Sequence, residues 1–275
     1  MIQQPIVVIE PRRGLWHLEF KAIWAHRELL YFLVWRDIKV RYKQTLIGVA
    51  WALVQPLVTM LVFTVIFSKF AKIDSDGIPY PLFAYTGLLP WNYFAGSLSR
   101  SINSVAGNTY LISKVYFPRL FLPFAGTVSG MVDIAASFLI LIALMVWYGV
   151  FPTWGILLLP VFLLLAMTTA LAIGLWLSAL NVTYRDVGHM VPFLTQVWMF
   201  ASPIAYPVSA VPEHWRLFYG LNPMVSVIEG FRWALLGKAA PDFAVMTMST
   251  IGVCVCLVLG IFFFKRMERS FADVI

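Results

Sequence analysis

Leu120–Tyr148 reads LFLPFAGTVSGMVDIAASFLILIALMVWY, and after a turn at Gly149–Gly155 the chain resumes as Ile156–Leu180, ILLLPVFLLLAMTTALAIGLWLSAL. Apart from Asp133, neither stretch carries a charge. Each exceeds the ~20 residues that a helix needs to cross the hydrocarbon layer of a bilayer. Inside that layer no water bonds to the backbone, so each stretch must satisfy its own N–H and C=O groups as a helix. The intervening turn is too short for a domain, so the two form an antiparallel membrane hairpin. The fold class is therefore an all-α integral membrane protein.

The rest of the chain extends this reading. Of 275 residues, 61% are hydrophobic and 12% charged, with a mean hydropathy of +0.83. That lies well outside the range of soluble domains. Further apolar spans are expected at Leu46–Phe67, about Pro81–Ser99, about Met190–Tyr206 and Phe243–Phe264, giving six in all. The division is then an N-terminal segment over residues 1–45, a six-span domain over 46–264 and a tail over 265–275. The opening residues mix charge too freely for a cleavable signal peptide, so the first span is expected to direct insertion.

The net charge of +7 is a matter of placement, with no need to invoke nucleic acid. Of the 20 lysines and arginines, fifteen fall in the N-terminal segment, the Arg100–Arg119 and Asn181–His189 loops and the tail. The other five are Lys69, Lys72, Arg216, Arg232 and Lys238. Because Lys and Arg accumulate on the cytoplasmic side, both termini are expected there.

Two regions are neither spans nor ordinary loops. Between Leu15 and Lys43, aromatics such as Trp16, Phe20, Tyr31 and Trp35 alternate with Arg27, Arg36, Lys39 and Lys43. This is the composition of an amphipathic helix lying in the membrane interface, either as an anchor or as a reader of phosphate-bearing headgroups. Between Pro207 and Ala240, on the opposite side, Glu213–Tyr219 and Met224–Leu236 are too short to cross and predict a re-entrant helical hairpin. Asn222 and Pro223 suit the N-cap and first position of its second piece, with Gly237 as its stop. Glu229 and Arg232, at i and i+3, are placed to pair as a structural tie or a gate contact.

Asp133 is the one acidic residue within the spans, and an intramembrane carboxylate either serves function or ties helices together. No span contains a histidine, which disfavours a proton relay. Cys254 and Cys256 point away from one another on a helix and have no further ligands nearby, so no metal site is expected. The sequence has no G-x-x-x-x-G-K-[ST] phosphate loop. No ATP hydrolysis, and no other catalysis, is expected of this chain.

Five segments carry a more specific signal: Gly87–Phe94 (GLLPWNYF), Lys114–Arg119 (KVYFPR) within Asn108–Pro123, Tyr184–Asp186 (YRD), Leu221–Met224 (LNPM) and Glu229–Arg232 (EGFR). In this order and at these positions they resemble the polysaccharide-exporting ABC permeases, the ABC-2 type membrane subunits for O-antigen, capsule and teichoic acid export. The resemblance covers nearly the whole chain. It implies a homodimer in the bacterial inner membrane, driven by two copies of a separate ATP-binding subunit that holds the ATP and magnesium. It also implies a coupling helix near Asn108–Arg119, with Lys114, Tyr116 and Arg119 as contacts to that partner and Tyr184, Arg185 and Asp186 close by.

The substrate implied by the resemblance is a glycan on an undecaprenyl pyrophosphate carrier. Arg36, Lys39 and Arg41 are the candidates for holding the pyrophosphate at the membrane interface. Trp51, Tyr85, Trp91, Tyr93, Trp198 and Tyr206 are the candidates for a glycan path, since aromatic faces give sugars many weak contacts without a trap. The outer hairpin, with Asn222, Pro223, Glu229 and Arg232, is expected to gate the exit. The rival readings are an ABC exporter of a lipid or drug, a membrane enzyme acting on lipid-linked sugars, and a proton-driven carrier.

Overall fold

The computed structural model describes Trp24 and residues 26–43, 49–115 and 117–271. Among these residues the regular secondary structure is all helix, with no strand. A helix α1 (Arg27–Lys43) precedes α2 (Val49–Phe63), whose last turns widen into a π-helical stretch, Thr64–Phe70. Then follow α3 (Tyr80–Ala106), the short α4 (Thr109–Lys114), α5 (Phe121–Val128) and α6 (Met131–Tyr148). After a 3-10 turn at Trp154–Leu158 come α7 (Leu159–Thr183), α8 (Asp186–Phe200), α9 (Glu213–Tyr219), α10 (Pro223–Leu236) and α11 (Phe243–Glu268).

Among the described residues, four helical segments are long and apolar enough to cross a membrane: Leu53–Phe70, Phe121–Tyr148, Trp154–Thr183 and Phe243–Glu268. Their outward faces are apolar, with Leu139, Ile142 and Val146 on α6, Val161 and Leu164 on α7, and Ile251, Val255 and Val258 on α11 all exposed. A water-soluble protein does not present such surfaces on several helices, whereas lipid tails cover them at no cost.

The bundle is built around α3. This helix packs most extensively on α7 and also against α2, α5, α6, α8 and α10. Pro81 opens it near its first turn, where a missing N–H costs nothing, and its apolar residues from Leu82 to Phe94 are buried on all faces. Close contact with α7 needs a small residue, and Gly174 supplies it: a Cβ there would lie 2.3 Å from Ser101 Oγ. Beyond this main core, a second core joins Leu33 of α1, Val105 of α3, Ile112 of α4, Phe117, Phe121 and Leu122, Val182 of α7, and Phe264 and Phe271 at the chain's end.

Two details depart from the sequence-based boundaries. The segment expected as one helix over Leu120–Tyr148 is interrupted at Ser129–Gly130 between α5 and α6. Gly130 leaves the space that the Arg100 guanidinium occupies, since a Cβ there would stand 2.1 Å from Arg100 Nη2. The helix expected at Met190–Tyr206 instead begins at Asp186 and ends at Phe200. Pro203 and Pro207 deny the helix two donors, and the turns between are held by Tyr206, whose hydroxyl donates to the Phe200 carbonyl at 3.0 Å. The first span is described only from Val49, so its expected start at Leu46 lies outside the described residues.

Candidate functional site

The functional candidates fall at the two ends of the bundle and at one ionic node between them. At the end bearing α4, the loop around Tyr184–Asp186 lies beside the end of α3. Asn181, buried in the last turn of α7, makes that junction: its Nδ2 donates to the Ile102 carbonyl at 3.2 Å and its Oδ1 accepts from the Gly188 amide at 2.9 Å. A cleft of about 570 Å³ opens between the two loops, lined by Asn103, Ala106, Thr109, Asn181, Arg185 and His189. Tyr184, Arg185 and Asp186 are exposed around it. Asn181 escaped the sequence reading; its only signal is an amide side chain in the last turn of an otherwise apolar span.

The coupling candidates on the first loop divide. Lys114 is exposed, its ammonium 6.0 Å from the ring centroid of the equally exposed Tyr110. Tyr116 lies outside the described residues. Arg119 turns inward: its Nη1 donates to the Glu268 carbonyl at 2.6 Å, its Nε stands 4.0 Å from the Glu268 carboxylate, and its guanidinium lies 5.9 Å from the Phe271 ring.

The ionic node centres on Asp133, in the first turn of α6. Arg41 Nη1 of α1 donates to its Oδ2 at 2.5 Å, Tyr42 donates its hydroxyl to Oδ1, and Arg100 Nη1 of α3 lies 3.4 Å from Oδ2. Arg100 also donates to the Gly126 carbonyl at 2.9 Å and to Ser97 Oγ at 2.9 Å. Three helices thus meet at one carboxylate that accepts from three donors. Burial first, then the hydrogen bond and charge of Asp133, hold the Tyr42 phenol above its ordinary pKa of 10.0. Of the headgroup candidates, Arg41 is therefore engaged within the protein, Arg36 pairs with its neighbour Asp37 at 2.8 Å, and Lys39 is exposed. The exposed rings of Tyr31, Phe32 and Trp35 accompany them on α1, while Leu33 points into the second core.

At the far end, α10 packs against α3, α7 and α11, while Glu213–Arg216 and Phe218 of the short α9 are exposed. Asn222 caps α10, its Oδ1 accepting from the Met224 amide at 3.0 Å and from Trp198 Nε1 at 3.0 Å, and Pro223 fills the first helical position. Gly237 ends α10 in the left-handed region at φ 69°. Arg232 is 2% exposed. Its guanidinium lies 3.5 Å from the centroid of Phe83, donates to the Ile204 carbonyl at 2.9 Å and stands 3.4 Å from the Glu229 carboxylate. Its Nε makes no hydrogen bond. Lys238 donates to the Asp76 carbonyl and Ser209 to the Asp76 carboxylate at 3.2 Å, joining the loop after α2 to the segments before α9 and after α10.

The six aromatic candidates are not brought onto one surface. Tyr85, Trp91 and Tyr93 are buried within the subunit, with Tyr85 donating to the Ser137 carbonyl at 3.2 Å. Trp91 lies in a cluster with Phe94 and Trp198, whose rings are 5.0 Å apart. Trp51 is 60% exposed on α2. Tyr206 is half-buried, its hydroxyl 2.9 Å from that of Tyr219.

A family model described as ABC-2 type transporter matches residues 28–236 of the chain. The chain is 32% identical over 259 residues to an O-antigen export system permease protein of Myxococcus xanthus, covering 93% of this chain and 98% of that one. It is 27% identical over 252 residues to a Klebsiella pneumoniae protein of the same description, covering 90% and 95%. A polysialic acid transport protein of Escherichia coli is 23% identical over 237 residues, covering 86% and 92%. Match and relatives span α1 to α10, and so include both ends of the bundle and the node between them; this chain belongs to the ABC-2 type transporter family.

Proposed function

We propose that this chain is the membrane subunit of an ABC exporter that moves polysaccharide, carried on a polyprenyl pyrophosphate, across a bacterial inner membrane. The observation that carries the reading is the end-to-end similarity to a permease described for O-antigen export. In this reading two copies of the chain form the channel and two separate ATP-binding subunits drive it. ATP and magnesium belong to those subunits, and this chain contributes no catalytic group.

Six spans follow if α3 and α8 join the four apolar segments. The 27 residues of α3 span roughly 40 Å at 1.5 Å per residue, enough for a crossing. The fifteen basic residues shared by the termini and the α4 end support a cytoplasmic position for both termini. The cytoplasmic end presents Lys114, Tyr184, Arg185 and Asp186 to the ATP-binding subunit, with Tyr116 in the same loop. Lys39, beside Arg36 on α1, is available to a pyrophosphate at the interface, and Arg41 anchors the helix that presents them. Trp51, Trp198 and Tyr206 keep faces that a sliding glycan can touch. The α9–α10 pair forms the re-entrant gate, set on Asn222 and Pro223 and held by Glu229 and Arg232.

The test is to assemble the chain with its ATP-binding subunit in lipid nanodiscs and measure ATP hydrolysis with and without an undecaprenyl-linked glycan. The expected result is stimulation by the glycan. A stable complex stimulated instead by a sugar-free lipid or a drug overturns the glycan assignment and leaves the transporter family standing.

A further inference from the structure

The last described residue is buried in the same core as the loop that would couple to ATP hydrolysis. Phe271, three residues beyond the end of α11, is 0% exposed and meets Phe264 edge to face with centroids 5.4 Å apart. Both rings belong to the second core, which also holds Ile112 of α4 and Phe117 from the loop that follows it. Just above, Arg119 bridges the same two elements through its 2.6 Å hydrogen bond to the Glu268 carbonyl and its position 5.9 Å from the Phe271 ring. Arg119 stands two residues before α5, so the segment from α4 to α5 is tied to the end of α11 by this bridge and shares a core with it through Ile112 and Phe117. In turn α11 is locked to α7: Trp176 stacks on Phe263 at 4.7 Å and donates to the Cys256 carbonyl at 3.2 Å.

This arrangement gives α4 a defined backing. A six-residue helix has too few internal hydrogen bonds to hold itself, so its position depends on what it packs against. A force applied to its exposed face, at Tyr110 and Lys114, passes to the bundle only if its buried face rests on something that does not yield. The core that Ile112 shares with Phe264 and Phe271, with the Arg119 bridge beside it, supplies that support and connects it to α11, which packs on α7.

We infer that the C-terminal turn, through Phe271 and the Arg119–Glu268 bridge, is a positioning element for the coupling helix, which sets how much transport each ATP hydrolysed delivers. The inference rests on the reading of this chain as a glycan exporter driven by a partner ATPase. None of these residues touches substrate or nucleotide in this account; they act through α4.

The experiment reconstitutes the full chain with its ATP-binding subunit in proteoliposomes and measures ATP hydrolysed and lipid-linked glycan moved in the same sample. For Phe271→Ala and Arg119→Ala the glycan moved per ATP should fall about fivefold while ATP hydrolysis stays within about twofold, the size of an ordinary coupling energy between sites. Phe271→Leu keeps most of the buried volume and should recover most of the ratio. It also carries the test, together with Arg119→Lys, if the alanine variants fail to accumulate. An unchanged ratio, or a parallel fall in both quantities that leaves the ratio intact, overturns the inference. Wild-type complex that hydrolyses ATP but moves no glycan overturns instead the exporter reading beneath it.

Discussion

Asp133 and Arg232 each place a charge inside an apolar bundle, and the protein satisfies them in opposite ways. Asp133 is one carboxylate between two guanidiniums and a phenol, drawn from helices far apart in sequence, and its side chain remains a quarter exposed. Arg232 is fully enclosed, and its single carboxylate partner sits one turn away on the same helix. The first arrangement ties helices together, and the second seats a charge against a ring and a main-chain carbonyl. A node with surplus donors tolerates the loss of one partner; an enclosed arginine with one carboxylate does not.

The comparison breaks most sharply at Glu229. Removing it leaves a desolvated guanidinium with no counter-charge, so Glu229→Ala should destabilise the protein by about 3 to 5 kcal/mol, read from unfolding in detergent. Arg232→Met should cost less, about 2 kcal/mol, because the remaining carboxylate is 27% exposed and reaches water. Equal losses would mean that the pair, and not the enclosure of the arginine, sets the cost. Next in size, Asp133→Asn should cost about 2 kcal/mol and free α1 from α3 and α6, seen as faster hydrogen exchange over Arg27–Lys43 with α10 unaffected. Exchange that rises equally in both regions would deny the node its local role. The smallest effect is expected at Asn222→Ala, about 1 kcal/mol for a lost cap, with exchange rising in the first turn of α10.

Much of the fold was legible because a membrane demands long uncharged helices, and Ile156–Leu180 or Phe243–Phe264 fit little else. The Glu229–Arg232 tie was legible for a similar reason, since i,i+3 neighbours meet on any helix. What escaped depends on packing between distant segments. Nothing in Asp133 announces Arg41 and Arg100 as partners, because which face of each helix turns inward is settled by three-dimensional contact. The same rotation buries Tyr85 and Tyr93, which as tyrosines in a span look like channel linings. The break at Ser129–Gly130 has a local signal in glycine, but the Arg100 side chain that fills the space beside Gly130 comes from another helix. Phe271 lies in a charged tail whose composition reads as solvated, and only the tertiary structure places it in a core.

The central claim is that this chain forms the path by which ATP hydrolysis moves a lipid-linked glycan. The most direct measurement uses inside-out vesicles containing the chain and its ATP-binding subunit, with undecaprenyl-linked glycan supplied outside together with ATP. The account predicts that the glycan becomes protected from an added glycosidase only when ATP is hydrolysed, and that collapsing the proton gradient leaves this protection intact. Glycan that stays fully digestible while a sugar-free lipid or drug is taken up under the same conditions would contradict it.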